Sequence, residues 1–366
     1  MKYIAHVGIG NFHRSHQETY LTELGEDWRY VGIGILPGDV PIRDSLKDNS
    51  WRYNVTSWDE NGVSTTVTIN TLSDYILAND DITHTLNTLA LPDLHIVSLT
   101  ITENGYSESL TIDDVTLIYS CLLEGAPAKV KFVSTFGLLL SGLALRYYRK
   151  LRPYTIMSCD NMLNNGKIVK EKCKLSDKVF QRWIDTECRF PSTVVDRITP
   201  QNSHPRDVIC ESYKSWVIED SFVDGIRPSW EKVGVIITDD VTSYELRKLC
   251  ILNGTHSYIG YLGSLKGYHY IHETLWDPEI YKKVQGFMNE IIPRVQEIIS
   301  QDCWDYGKII LKRFQNEKIF DTVERIMQDS MYKIEQQIIP IYKSNMPITT
   351  EWLINTGLIL PKPPDA

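Results

Sequence analysis

The stretch Tyr244-Glu-Leu-Arg-Lys-Leu-Cys-Ile-Leu-Asn-Gly-Thr-His256 holds the densest set of chemistry-bearing side chains in the sequence. Wound as an α-helix from Lys248 at zero, it puts Glu245 at about 60°, His256 at about 80° and Asn253 at about 140°. The four share one face, spread over roughly 16 Å of helix axis. Leu249, Ile251 and Leu252 surround that stripe, so it is expected to be partly buried. Buried Lys, Asn and His are costly unless paired or used. The types suit alcohol oxidation. A desolvated Lys248 has a lowered pKa and can take a hydroxyl proton as general base. Asn253 can donate an N–H to the alkoxide as its charge develops. His256 can position a neighbouring hydroxyl, and Glu245 can pass the proton to water. The alternative is an amphipathic helix whose polar residues merely face solvent.

Ser158-Cys-Asp-Asn161 closes a β-like run, and such loops present ligand contacts in open α/β sheets. Asn161 can supply a second amide to the same oxyanion, although Asp-Asn also forms an Asx turn unaided. His13 and His16 are three apart and could share a metal, but no further ligand completes a set by spacing and there is no HExxH. No Ser lies in a GxSxG, which argues against a serine hydrolase.

Hydride chemistry needs a coenzyme, and the N-terminus offers a place for one. Gly8-Ile-Gly10 follows an apolar run and opens a helix. Glycines there let the backbone approach a diphosphate, and the helix start offers unpaired N–H groups. The dinucleotide fingerprint wants a third Gly where this chain has His13, so the motif alone is weak. Asp39 follows the second β-like run, where adenosine ribose hydroxyls sit in such folds; its charge favours NAD over NADP. Arg43 nearby blunts that preference, and Pro37-Gly-Asp39 could equally be a plain turn.

The elements that must carry these residues read as follows. Lys2–Ile9, Arg29–Ile35, Leu94–Ile101, a run containing Phe132, and Tyr154–Ser158 are β-like, and Asn11–Leu24 is helical. Strands alternating with helices predict a parallel sheet. Trp51–Trp58 and Val63–Leu72 flank an Asp-Glu-Asn-Gly turn and predict an inserted hairpin. Thr199–Pro205 is rich in turn formers and marks the domain boundary. Ser215–Ile218 and Val233–Ile237 are β-like. Beyond them Tyr244–Leu265, Pro278–Ser300 and Phe320–Ile339 are helical, the last stopped by Pro340. The expected fold is α/β: a Rossmann-like domain over 1–204 and a mainly α-helical domain over 205–366.

Composition narrows the partners. The 366 residues are 42% hydrophobic and 23% charged, which suits a globular chain of about two domains. A net charge of −9, from 38 Lys+Arg against 47 Asp+Glu, disfavours nucleic acid. Phe136–Leu145 is about half of a bilayer span, and the start lacks a signal-peptide core. Seven Cys without a CxxC pair read as reduced thiols in a cytosol.

Several stretches together resemble the mannitol dehydrogenase family of polyol-specific long-chain dehydrogenases. They are Gly8-Ile-Gly-Asn-Phe-His-Arg-Ser-His-Gln17, Ser98–Tyr106, Ser158–Asn161 with Asn165-Gly166, and Phe190–Pro200. Trp216–Asp220, Lys248-x4-Asn253-x2-His256 and Arg313–Asn316 with Asp321 continue the series. The similarity runs in order from about residue 6 to residue 326. It implies a Rossmann-like domain, a helical domain and an active site between them. It also implies zinc-independent hydride transfer between NAD, or NADP, and a sugar alcohol or its keto sugar. Lys248 would be the base, with Asn161 and Asn253 as the oxyanion hole. His256 would bind substrate and Glu245 would be the relay carboxylate. Asp196 would lie near the nicotinamide, and Gly8, Gly10, Asn11, Phe12 and Asp39 would contact the coenzyme. The family's own motif carries Phe-His where the third glycine is missing. Mannitol and fructose are the leading pair; arabinitol, a sugar acid such as fructuronate, or a catalytically silent relative are the alternatives. Longer members have more C-terminal helix, so contacts from that region stay unassigned. A cytoplasmic monomer or weak oligomer is expected.

Overall fold

The computed structural model describes residues 1–200, 204–328 and 330–360. The strands, in chain order, are β1 (Lys2–Val7), β2 (Trp28–Gly34), β3 (Tyr53–Trp58), β4 (Ser64–Ile69), β5 (Leu72–Leu77) and β6 (Leu94–Leu99). They continue as β7 (Thr155–Ser158), β8 (Thr193–Asp196), β9 (Asp207–Glu211), β10 (Ser215–Glu219) and β11 (Ile236–Thr238). The main sheet has the order β5-β2-β1-β6-β7, and every pairing in it is parallel. It is a Rossmann-like sheet. The chain proceeds outward from β1 through β2 to β5, then returns to the other side of β1 with β6. The crevice at that reversal, beyond the carboxyl ends of β1 and β6, is where such folds bind ligands.

The expected strands fall where the apolar runs are, with three differences, the first being that Val233 of the expected run Val233–Ile237 ends a 3₁₀ turn and the strand starts only at Ile236. Phe132 lies in an irregular, exposed segment rather than a strand. Leu72, expected as the end of the hairpin's second arm, instead starts β5, which pairs with β2 at the sheet edge. The apolar stretch Phe136–Leu145 is the middle of helix Thr135–Tyr148, buried continuously from Thr135 to Arg146. A helix apolar on all sides needs cover on all sides, and this one lies within the core of the main sheet. Each fully buried Leu there contributes about 1.5–3 kcal/mol.

The chain divides into two compact units. The first comprises Met1–Ser57, Thr65–Cys210 and Lys214–Val241, and the second Trp58–Ser64, Glu211–Tyr213 and Thr242–Ala366. The change of unit thus falls after Val241 rather than at the expected 204/205, and Gln201–Ser203 of the expected boundary lie outside the described residues. The reason is pairing. β10 runs antiparallel to β8, and Trp216, Ile218, Trp230 and Val235 share a core with Tyr20, Trp28 and Tyr30. Those contacts bind Lys214–Val241 to the first unit.

The second unit is helical, as expected. Its first long run extends from Val241 to Lys266 and contains a π turn over Lys248–Asn253. Helix Pro278–Gln296 follows, capped by Asp277, whose Oδ1 accepts from the Glu279 and Ile280 amides. The expected helix Phe320–Ile339 is instead Val323–Met327 and Ser330–Gln337, followed by a 3₁₀ turn at Ile339–Ile341 that contains Pro340. Tyr258, Phe287 and Trp352 pack ring on ring at 4.7–5.4 Å in the core of this unit. Arg313 makes a buried two-bond ion pair with Glu211, at 2.9 and 2.7 Å, and lies 4.0 Å over the Tyr213 ring. Such a pair is costly to break from one side because the partner charge is left stranded. It ties Glu211–Tyr213 to helix Trp304–Phe314.

Candidate active site

In the first unit β1 ends in two glycines with different tasks. Gly8 has φ +92°, and a Cβ on it would lie 2.2 Å from the Thr100 carbonyl oxygen. Only glycine can hold that turn against the end of β6. Gly10 is the N-cap of helix Asn11–Ser15, and a Cβ there would meet nothing closer than Gly8 O at 4.0 Å. The space over Gly10 is open rather than filled by packing, which is what a backbone approached by a diphosphate requires. The residues present therefore fit a dinucleotide. Asn11 Oδ1 accepts from Arg14 Nη2 at 2.6 Å, and Phe12 stacks on His16 at 4.9 Å.

The expected helix Asn11–Leu24 is broken at His16 into Asn11–Ser15 and Gln17–Leu24. Carbonyls freed by the break are taken up from elsewhere: Tyr53 donates to Arg14 O and Arg197 to Ser15 O. His16 Nε2 lies 2.9 Å from Ser215 O, and His13 stacks on His6 at 3.5 Å. The two histidines thus turn to different partners. Among the described residues, no group of three or more His, Cys, Asp or Glu is placed to share an ion. All seven cysteines are buried free thiols, and no described helix is long and apolar enough to cross a membrane.

Beneath the turn, burial sets the protonation of a polar cluster. Burial lowers His13 and His16 to about 3 and raises Glu18 to about 8. Glu18 Oε1 and His13 Nε2, 3.5 Å apart, therefore face each other as neutral acid and neutral imidazole rather than as an ion pair. A stability profile follows. Glu18 holds its proton only in the fold between pH 4.5 and 8, so its contribution is complete below 4.5 and is lost as pH rises to 8. The histidines take protons first in the unfolded chain, so stability is lost as pH falls from 6.5 toward 3. His6, stacked on His13, is lowered by burial in the same way, so the histidines outweigh the glutamate between 4.5 and 6.5. Melting temperature against pH is expected to peak near 6.5, with an alkaline slope of about 1.4 kcal/mol per unit. Glu18→Gln should flatten the alkaline arm and steepen the rise between pH 4.5 and 6.5, where Glu18 opposes the histidines; an unchanged alkaline arm would show that Glu18 is ionised in the fold.

Asp39 is the first residue of helix Asp39–Asp48, and its Oδ2 accepts from the Ile35 and Leu36 amides at 2.9 Å each. One oxygen is thus spent on closing the turn after β2. Arg43 is turned to Asp44. Asp196 is buried at the end of β8, opposite Ser215 in the small antiparallel pair and not at the end of a main-sheet strand. Asn161 is exposed on the loop after β7. Asp160 beside it is more than a local turn: its carboxylate accepts from Ile101 N at 3.1 Å, Thr102 N at 2.8 Å and Tyr106 Oη at 2.6 Å. It joins the loops after β6 and β7, and it holds Thr102 at φ +58°. Sequence reasoning missed that tie, whose two halves stand in Ser98–Tyr106 and Ser158–Asn161.

In the second unit Glu245, Lys248 and His256 are buried, and Asn253 is half-buried. The π turn changes their spacing. An i→i+5 turn holds more residues per turn than an α-helix, so Lys248 and Asn253, five apart, stand closer around the axis than a straight α-helix allows. Helices Pro278–Gln296, Trp304–Phe314 and Ser330–Gln337 pack against that turn. Asn253 Nδ2 is buried with no hydrogen-bond partner among the described residues. A buried amide donor left unmade is costly, and it marks a place for an acceptor. His256 stacks on Phe314 at 4.5 Å, and its Nε2 lies 3.1 Å from Asp321 Oδ2, off the line of a ring N–H. Arg325 clamps the same carboxylate through Nε and Nη2 at 2.8 Å each. Burial lowers the His256 pKa despite Asp321, so the imidazole is neutral at neutral pH. Burial works to raise Asp321, but the His256 and Arg325 contacts prevail and lower it. The part of Asp321 and Phe314 in holding His256 was not legible in the sequence.

A parallel Rossmann-like sheet with an open glycine beyond its first strand, followed in one chain by a helical unit, is an architecture of dinucleotide-dependent oxidoreductases. The model of the mannitol dehydrogenase Rossmann domain matches residues 2–232, and that of the mannitol dehydrogenase C-terminal domain matches 240–353. The chain belongs to the mannitol dehydrogenase family. It is 38% identical over 364 residues to a mannitol dehydrogenase of Saccharomyces cerevisiae, covering 92% of this chain and 72% of that one. It is 37% identical over 368 residues to mannitol 2-dehydrogenase of Emericella nidulans, with the same coverage. A solved structure of Pseudomonas fluorescens mannitol 2-dehydrogenase, a ternary complex with NAD and D-mannitol, superposes with a TM-score of 0.80 at 33% identity. That match covers 97% of this chain and 75% of the other. A D-sorbitol dehydrogenase superposes with a TM-score of 0.81 at 27% identity, covering 97% and 76%.

Proposed function

We propose that this chain oxidises a sugar alcohol to its keto sugar with NAD, and reduces it in reverse, with mannitol and fructose as the pair. The coenzyme, when bound, accepts the hydride. Lys248 takes the hydroxyl proton as a neutral amine, so proton removal falls to an amine rather than to a metal-bound water. Asn253 Nδ2 donates to the alkoxide oxygen as charge develops there, and Asn161 of the first unit is the second donor. His256, held by Phe314 and Asp321, binds a neighbouring hydroxyl of the substrate. Glu245, three residues before Lys248, passes the proton onward. Gly8, Gly10, Asn11 and Phe12 form the turn that receives the diphosphate, Asp39 meets the adenosine ribose and favours NAD, and Asp196 lies near the nicotinamide.

The observation that carries this reading is the unpartnered buried donor of Asn253 on the same π turn as a buried Lys248. The relatives named above support the substrate class. The test is NADH formation across a panel of polyols and sugar acids. Turnover with mannitol is expected, and a preference for arabinitol or for reduction of a sugar acid such as fructuronate would move the substrate within the family. No turnover with any of them, despite measurable NADH binding, would leave a nucleotide-binding relative without catalysis.

A further inference from the structure

β1 buries a histidine between apolar neighbours. His6 is fully enclosed between Ala5 and Val7, with its ring face on His13 at 3.5 Å. Both ring nitrogens have partners. Nδ1 lies 2.8 Å from Ser98 Oγ and Nε2 lies 2.9 Å from Thr100 Oγ1, both partners on or just beyond β6. Thr100 Oγ1 in turn donates to Gly8 O at 2.7 Å. The same carbonyl accepts from Gly10 N, also at 2.7 Å, so both of its lone pairs are engaged.

The direction of these bonds is forced. A carbonyl can only accept, so the single hydroxyl hydrogen of Thr100 goes to Gly8 O. Thr100 must then accept from His6, which fixes the hydrogen on Nε2. Nδ1 keeps its lone pair and accepts from the Ser98 hydroxyl. Donation runs one way along Ser98, His6, Thr100 and Gly8, and aligned bonds in a low-dielectric interior polarise one another. Burial lowers the His6 pKa, which keeps the ring in the one-hydrogen form the chain needs.

We infer that His6 is a positioning residue for the dinucleotide: through Thr100 it sets the Gly8 carbonyl, and with it the Gly8-Ile9-Gly10 turn that the diphosphate approaches. The inference rests on the reading of that turn as the coenzyme site. A histidine kept only for packing against His13 predicts something different, because a phenylalanine ring would serve that purpose equally well.

The experiment compares NADH dissociation constants, by fluorescence titration, for the wild-type chain, His6→Phe, His6→Gln, Thr100→Val and Thr100→Ser. Circular dichroism confirms the fold of each variant at the temperature used. Phe keeps the flat ring and removes both polar contacts, whereas Gln can still donate and accept. Val removes the hydroxyl at nearly constant shape, and Ser restores it. His6→Phe and Thr100→Val are expected to weaken NADH by about tenfold, the scale of one net hydrogen bond. The KM for the polyol should not change. Gln and Ser should stay within about threefold of wild type, and the double variant His6→Phe/Thr100→Val should be no weaker than either single one, because the two act in series. If His6→Phe fails to fold, the Thr100 pair still decides, since it leaves the core ring in place. Wild-type affinity in a folded Thr100→Val, or a Thr100→Ser as weak as Thr100→Val, would overturn the inference. A wild-type chain that binds no NADH would instead remove the coenzyme reading beneath it.

Discussion

Lys248→Ala should lower kcat for polyol oxidation by about 10²–10⁴-fold, the range that a positioned proton acceptor supplies. NADH affinity should stay within a few-fold, because the residue lies outside the glycine turn and belongs to the second unit. Burial on the π turn makes the case for a base rather than a surface charge. Lys248→Arg separates the two roles. A guanidinium keeps the positive charge but cannot give up its proton, so it should be as inactive as Ala if the amine acts as base. Steady-state kinetics beside a fluorescence titration of NADH reads both quantities. Undiminished turnover in the Ala variant would take Lys248 out of the mechanism, and substantial activity in the Arg variant would leave it a purely electrostatic part.

Asn253→Ala should cost about 10²–10³-fold in kcat, the scale of losing one oxyanion donor. The loss should fall on kcat more than on KM, because the alkoxide charge exists only as the hydride leaves. The native donor has no partner among the described residues, so its removal leaves no acceptor stranded there and the fold should hold. That separates a catalytic loss from a structural one. With substrate deuterated at the carbinol carbon, the variant should show a larger isotope effect on kcat than wild type, since slower chemistry becomes limiting. An Asn253→Ala variant with wild-type kcat, or one that loses only thermal stability, would return Asn253 to a structural role.

Much of the candidate site's local structure was legible because its signals are local. Glycines after an apolar run predicted the turn, and the turn lies between β1 and a helix start. The Lys-Asn-His spacing named groups of which the second unit buries Lys248 and His256 and half-buries Asn253. The third-glycine position shows why a motif rule can depart from a chain whose turn is otherwise kept. His13 is fully buried there and packs on His6, a partner seven residues away on β1 that the fingerprint does not contain. Other features were misread for the same kind of reason. Leu72 was placed at the end of a hairpin arm, and β5 went unread, because its partner, β2, lies about forty residues earlier. The boundary was drawn at turn formers, whereas antiparallel pairing with β8 and the buried Trp216 and Trp230 keep the next stretch in the first unit.

Residue chemistry and local periodicity, then, were written in the amino-acid sequence: which side chains could act, on which elements, and that a parallel α/β sheet precedes a helical unit. Their exact alignment was not. Whether Lys248 and Asn253 stand apart around an α-helix or closer together on a π turn depends on packing from residues far along the chain. Ile338, whose Cδ1 would lie 2.7 Å from a Cβ on Gly254, is one of them. The break at His16 depends likewise on Arg197 and Tyr53 reaching carbonyls that a straight helix would have kept. A helix can change its hydrogen-bond register at small cost, so distant contacts select which register holds, and no local window contains them.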